Sequence, residues 1–125
     1  NKKTKEIYYQ SVEGSSTERG IYSVKLSGKG KRVLHKTKGT NGATFSVGGA
    51  YYIHSYSDEQ TPPVYTLYAT TKNKPLRQIL NNDTLIKNLS SFKLPDKEFS
   101  TLNVNGESLN MWIIKPNNFD SLIME

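Results

Sequence analysis

The feature that most constrains the fold of this chain is an internal repeat of short, alternating segments. Residues 20–34 read as a strand, a turn and a second strand, and this pattern returns at residues 63–80, with Tyr22 and Tyr65 lying 43 positions apart. A period of about 40–50 residues built from four short strands is typical of β-propeller blades. Since each blade buries its faces only against neighbouring blades, two blades cannot close a ring.

The other segments fit two blades in which apolar and polar residues alternate with a period of two. The first blade is expected to lack its inner strand and the second to be complete. In the first blade, the alternation places Tyr22, Val24 and Leu26 on one strand face, and Ser23 and Lys25 on the other. The predicted strands lie near residues 5–12, 20–27, 31–36, 43–47, 50–57, 64–70 and 75–80.

The last third of the sequence departs from the blade pattern. Asn82 or Asp83 can cap a short helix that ends near Ser90. Strands resume at residues 99–104 and 108–115, joined by an Asn-Gly pair, which is a strong hairpin signal. The predicted fold class is therefore all-β: antiparallel blades of an incomplete β-propeller, with one short helix and a C-terminal hairpin.

Composition and charge exclude several classes of protein. The chain has no cysteine, so it has no disulfide, thiolate zinc site or Cys nucleophile, and no apolar run reaches the roughly 18 residues of a membrane span. The net charge of +6 is concentrated in residues 1–40, and residues 28–32 could contact phosphate. Because no stacking aromatic residues are interleaved there, we expect a solvated turn and no nucleic-acid partner.

Several motifs in the second half resemble the dipeptidyl peptidase IV family of the prolyl oligopeptidase group. Residues 51–68 carry Tyr-Tyr-Ile, a polar loop and Thr-Pro-Pro-Val-Tyr-Thr-Leu-Tyr, which resembles the last propeller blade of that family. Residues 76–82 and 93–99 are similar to its propeller exit, and residues 105–120, ending Ile-Lys-Pro-Asn-Asn-Phe-Asp, are similar to the hairpin that opens its α/β-hydrolase domain. The resemblance implies propeller blades at residues 1–92 and a crossover into the hydrolase domain at residues 93–125.

The resemblance also implies what the parent protein does. That protein would be a serine exopeptidase that removes dipeptides from peptide N-termini, often after Pro or Ala, and bacterial relatives are commonly extracytoplasmic. Neither the Gly-x-Ser-x-Gly nucleophile motif nor the family's Glu-Glu pair occurs in these 125 residues. We therefore expect no catalytic, cofactor-binding or metal-binding residue here, peptide as the substrate of the parent, and an inactive fragment.

Taken by themselves, the chemically interesting residues favour structural roles. His35 and His54 both lie on predicted strands, and His54 with the loop pair Asp58-Glu59 is the nearest approach to a site. A loop before Pro-Pro does not hold carboxylates at the fixed separation that acid–base catalysis needs. Trp112 is expected to be a packing residue.

Eight tyrosines could form a sugar-stacking platform, but adjacent pairs point to opposite faces of a strand, which favours packing. The acceptor sequences for N-glycosylation at Asn82 and Asn88 are interpreted as chance matches in an Asn-rich chain. The tyrosines are Tyr8, Tyr9, Tyr22, Tyr51, Tyr52, Tyr56, Tyr65 and Tyr68.

The sequence leaves an alternative function open. A stand-alone all-β module that binds carbohydrate or protein would satisfy its own sheet edges, whereas a blade fragment would leave edges that favour a homodimer or edge-strand association.

Overall fold

The computed structural model describes residues 4–120. Within that range the chain forms nine strands and one short helix in a simple order. Their bounds are β1 (Glu6–Ser11), β2 (Gly20–Lys25), β3 (Arg32–His35), β4 (Thr40–Phe45), β5 (Tyr51–Ser57), β6 (Val64–Ala69), β7 (Lys74–Leu80), α1 (Asp83–Leu89), β8 (Lys97–Val104) and β9 (Glu107–Ile114).

The strands form three antiparallel sheets, each a meander in chain order. The first sheet has the order β1-β2-β3, the second sheet β4-β5-β6-β7, and β8 pairs with β9 in the C-terminal hairpin. The predicted all-β class is confirmed: antiparallel blades of an incomplete propeller with one short helix and a C-terminal hairpin. The chain divides into two compact units, Asn1–Asp83 and Thr84–Glu125, and the first contains both larger sheets.

The hydrophobic core lies between the first and second sheets. Ile21 and Leu34 from the first sheet and Tyr52 from the second are its buried members. Removing each of these side chains from water contributes on the order of 1.5–3 kcal/mol. Partly buried hydrophobic residues pack around them: Tyr8, Ala43, Phe45 and Tyr68.

The register of the repeat differs from the expected 43 residues. Tyr8 stacks on Phe45 of the second sheet, so the next residue, Tyr9, points to the opposite face of β1. Tyr22 lies opposite Tyr9 and stacks on it, so Tyr22 also points away from the second sheet. Strand β2 begins at Gly20 and β6 at Val64, an offset of 44. A slip of one residue exchanges the two faces of a strand, so equal residue type at Tyr22 and Tyr65 does not mean equal position.

Strand β2 is buried on both faces. Its polar residue Ser23 is fully buried and accepts a hydrogen bond from Nε of Arg32 at 3.3 Å. Leu26, expected to continue the apolar face, lies outside the strand and is exposed. Within β2 the alternation of residues 22–25 correctly predicts which side chains share a face of the strand, but it does not predict which face is exposed to water.

Strand β4 ends earlier than expected, at Phe45. The backbone N–H of Gly49 donates to the carbonyl of Ser46, and both Gly48 and Gly49 have positive φ, so residues 46–49 form a turn. Val47, predicted as a strand residue, lies in this turn fully exposed. The two glycines adopt a conformation that costs other residues free energy.

The C-terminal hairpin confirms the Asn-Gly signal. Asn105 and Gly106 have φ of 52° and 88°, the two positive values that a type I′ turn requires. Cross-strand pairs follow from that turn, including Phe99 opposite Trp112. Within the described residues Trp112 is 61% exposed with Lys97 Nζ 4.9 Å from its ring, so the expected core packing of Trp112 is not observed.

Candidate functional site

The two histidines of the chain meet where the two larger sheets pack together. His35 comes from β3 of the first sheet and His54 from β5 of the second. Their rings are stacked, with centroids 3.6 Å apart and planes inclined by only 7°. His54 is 8% exposed and His35 is half-buried. The sequence assigned each histidine a separate structural role and did not predict their contact.

A chain of hydrogen bonds holds His35 in place. Asn73, in the turn between β6 and β7, donates from Nδ2 to the carbonyl of Leu34 at 2.8 Å, which leaves its Oδ1 as an acceptor. The Tyr52 hydroxyl donates to that Oδ1. Because the hydroxyl has a single proton, Nε2 of His35, 2.7 Å away, must donate to the Tyr52 oxygen. The neutral His35 is therefore the Nε2–H tautomer.

Asn41 fixes His54 in the same way. Its Nδ2 donates to the carbonyls of Arg19 at 2.8 Å and Thr37 at 2.7 Å. Its Oδ1 consequently faces Nε2 of His54, 3.1 Å away, and accepts a hydrogen bond from it. Asn41 is fully buried, and its backbone carbonyl also accepts from Gln10 Nε2 at 2.7 Å, which ties β1 to β4.

Aromatic rings enclose the histidine pair. Tyr68 meets His35 edge-on at 4.8 Å and stacks on Tyr52 at 5.2 Å. Burial, with a smaller contribution from the neighbouring His54, lowers the pKa of His35 to about 4. Burial also lowers the pKa of His54 and, together with Tyr68, raises that of Tyr52. We call these four rings with Asn41 and Asn73 the His–Tyr cluster.

The His–Tyr cluster connects the two larger sheets, because His35 of the first sheet contacts rings of the second. It holds neutral rings and amides, and no serine, cysteine or carboxylate of the described residues is bonded to either histidine. The sequence did not identify Asn41 and Asn73 as members of the cluster. An amide side chain whose partners lie mostly in distant segments has no recognisable motif in the neighbouring sequence.

The loop carboxylate Asp58 lies apart from this cluster. Its Oδ1 accepts the backbone N–H of Gln60 at 3.0 Å and of Thr61 at 2.6 Å, and its Oδ2 accepts the Tyr56 hydroxyl at 2.7 Å. Partial burial opposes ionisation of Asp58, but these hydrogen bonds outweigh it and lower its pKa. The bond to Asp58 raises the pKa of Tyr56 to about 12. Asp58 therefore shapes its loop, and Glu59 beside it is exposed.

The basic stretch of residues 28–32 is exposed and leads into β3, and its last two residues contact carboxylates. Lys31 pairs with Glu13 and lies 5.1 Å from the centroid of the Tyr22 ring. Arg32 pairs with Glu6 at 3.2 Å. These contacts compensate part of the local positive charge.

The remaining candidates are distributed over both units. Tyr51 and Tyr65 are exposed on the second sheet, whereas Tyr22 and Tyr52 are buried. The acceptor Asn82 donates its Nδ2 to the carbonyl of Pro63 at 2.6 Å. The other acceptor residue lies inside α1.

Two open clefts lie on the first unit. One of about 300 Å³ is lined by Gln10, Ser11, Val12 and Arg19. The other, of about 200 Å³, includes Glu6, whose carboxylate accepts the Tyr8 hydroxyl at 2.8 Å. Over residues 4–120, no three His, Asp or Glu side chains converge as metal ligands. No helix in the same range is long and apolar enough to cross a membrane.

Comparison with known proteins identifies the family. The family described as the dipeptidyl peptidase IV (DPP IV) N-terminal region matches residues 1–63, half of the chain. The chain belongs to the dipeptidyl peptidase IV family. Dipeptidyl peptidase 4 of Arthroderma otae is 36% identical over 121 residues, and that of Trichophyton rubrum is 38% identical over 122 residues; each match covers 94% of this chain and 16% of the relative.

A solved dipeptidyl peptidase IV family structure shares the fold of this chain. The crystal structure of Porphyromonas gingivalis dipeptidyl peptidase 4 matches 94% of the chain with a TM-score of 0.85 and 36% identity. The match covers 17% of that chain. The chain thus spans about a sixth of the relatives that it matches. The family predicted from the strand and exit motifs is confirmed, and its members here are dipeptidyl peptidases.

Proposed function

We propose that this chain is part of a longer serine-type exopeptidase of the dipeptidyl peptidase IV type, in which it serves as propeller scaffold and gates access of peptide substrates. We assign residues 1–92 to the last propeller blades and residues 93–125 to the crossover and first hairpin of the hydrolase domain. The similarity of nearly the whole chain to one-sixth of a dipeptidyl peptidase 4 carries this proposal.

The packing of the two sheets supports a scaffold role. Tyr8 and Ile21 of the first sheet face the second sheet. In the repeat, Tyr8 corresponds to Ile53 of the second sheet and Ile21 corresponds to Tyr65. Ile53 and Tyr65 point away from the first sheet and are each 37% exposed. Since equivalent faces of repeats bury equivalent surfaces, we place a further blade of the parent against Ile53 and Tyr65.

The alternative of a stand-alone binding module receives less support. A closed module covers its own apolar faces, but Tyr51 on the second sheet is 50% exposed and Leu76 on its edge strand β7 is 48% exposed. We expect the isolated chain to self-associate through such faces or edges. Sedimentation showing a stable monomer over a wide concentration range would favour the module instead.

The catalytic part of the proposal is tested with Gly-Pro and Ala-Pro chromogenic substrates. We expect the purified 125-residue chain to release no chromophore above a mock purification, because no nucleophile–base pair is found in its described residues. Turnover that scales with the concentration of the chain would overturn the assignment of a non-catalytic role.

The parent is tested separately. A longer protein that contains this chain is expected to release the dipeptide and to lose that activity on reaction with a serine-directed fluorophosphonate. Absence of dipeptide release would contradict the exopeptidase proposal, and full activity after reaction with the fluorophosphonate would contradict the serine mechanism.

A further inference from the structure

The contact between the first and second sheets depends on two rings that can each gain a proton. His35 and His54 lie face to face at 3.6 Å, one from each sheet. In both neutral rings Nε2 carries the proton, since Tyr52 and Asn41 accept from it. Each ring therefore gains its next proton at Nδ1. Two imidazolium rings at this separation would repel each other.

The surroundings offer no compensating negative charge to the pair. From β5 and β6 the titratable groups in contact are the phenols of Tyr52 and Tyr68, and burial raises the pKa of the Tyr52 phenol further. Strand β2 places Ile21 opposite His35, and β4 places Ala43 opposite His54. Among the described residues no carboxylate or cation from these elements is bonded to either ring.

We propose that the stacked His35–His54 pair is a proton-sensitive joint between the two sheets, closed while both rings are neutral and opened by mild acid. The joint goes beyond the proposed peptidase role, because it depends only on the packing of the two sheets.

The direction of the effect follows from proton linkage. The folded chain holds His35 with a pKa of about 4, below the value of 6.5 in a free side chain. The unfolded chain therefore binds more protons between these two values, so the stabilisation from this residue is fully present above pH 6.5 and is lost as the pH falls towards 4. Because His35 is only half-buried, solvent reduces the effect of this shift, and at pH 5 His35 alone lowers the ratio of folded to unfolded chain by roughly 10-fold relative to pH 7.5.

The test compares the 125-residue chain with the double variant His35→Gln, His54→Gln. Glutamine keeps a neutral N–H donor near the position of Nε2 but does not titrate. Urea unfolding of both proteins is followed by circular dichroism at pH 7.5 and pH 5.0. The two proteins contain the same carboxylates and the variant has no histidine, so the difference between their pH responses reports on His35 and His54.

We expect the folded-to-unfolded ratio of the unsubstituted 125-residue chain to fall by at least roughly 10-fold more than that of the double variant between the two pH values. Equal losses in the two proteins would overturn the proposal. They would leave the peptidase proposal untouched, since activity is measured separately.

A spectroscopic measurement on the unmodified chain keeps the test valid even if the variant does not fold. Long-range ¹H–¹⁵N correlation spectra at pH 7.5 should show protonated Nε2 and unprotonated Nδ1 in both rings. In the folded chain His35 should not titrate above about pH 5, and His54 should titrate below its ordinary range, because burial lowers the pKa of both rings. Ordinary titration of both rings near pH 6.5, with the sheet resonances unchanged, would show that the joint does not exist.

Discussion

Replacement of Asn41 by alanine is the sharpest test of how the two sheets are joined. The side chain is fully buried and makes three hydrogen bonds, to the carbonyls of Arg19 and Thr37 and to Nε2 of His54. The Arg19 carbonyl keeps the backbone N–H of Asn41 as a donor after the change. The Thr37 carbonyl and the His54 N–H lose the partner that Asn41 provides.

The expected cost follows from the buried His54. A buried polar group left without a partner costs about 1–3 kcal/mol, whereas the exposed Thr37 can bond water, so Asn41→Ala should lower the free energy of unfolding by about 1–3 kcal/mol. Domains of this size are stable by only about 5–15 kcal/mol, so the loss is large. Asn41→Asp keeps the volume but turns the amide donor into an acceptor facing two carbonyls, and it should cost at least as much.

Urea unfolding followed by circular dichroism measures both variants, with the exposed Thr44→Ala on the same strand as the control. The control should change the free energy by less than about 1 kcal/mol. If Asn41→Ala cost no more than the control with an unchanged denaturant slope, the hydrogen-bond account of this joint would be refuted.

Two further changes test local features. Gly39 has φ of 115°, and an added Cβ would lie 2.7 Å from the carbonyl oxygen of Ser57, so Gly39→Ala should lower the free energy of unfolding by about 2 kcal/mol or more. Gly48 also has positive φ but lies in open space, so Gly48→Ala should cost only about 1 kcal/mol. Equal urea midpoints for the two variants would contradict the predicted clash at Gly39. Asp58→Asn should lower the pKa of Tyr56 from about 12 towards its ordinary value, because the bond to Asp58 is the main cause of the shift. The ¹³Cζ resonance of the phenol reports this titration, and an unchanged pKa would be the contrary result.

Local sequence signals predicted most of the secondary structure. The Asn-Gly turn, the capped helix and the alternation of β5 and β6 depend on residues that are close in the chain, so they can be read in one pass. One error was local: β4 ends at the turn of residues 46–49, which the strand pattern did not predict. The other arose from a distant partner, since the register of the repeat depends on which face of β2 meets the second sheet.

The candidate cluster was less predictable than the fold. The sequence identified His35 and His54 as strand residues and gave each a structural role, but it linked His54 with Asp58, which the structure places in a separate loop network. Amides such as Asn41 and Asn73 look like loop residues in a sequence, because Asn favours turns. Except for the Thr37 carbonyl, their partners in the cluster belong to segments more than ten residues away.

An all-β chain with a blade-like repeat, the lack of cysteine chemistry and the family likeness could all be predicted from the residues, because strand periodicity, turn residues and composition act locally. The tertiary structure alone decided that the two histidines stack, which nitrogen of each carries the proton, and that Ser23 and Asn41 are buried. Those features need two sheets brought face to face, and the face that a strand buries depends on the partner sheet rather than on its own alternation.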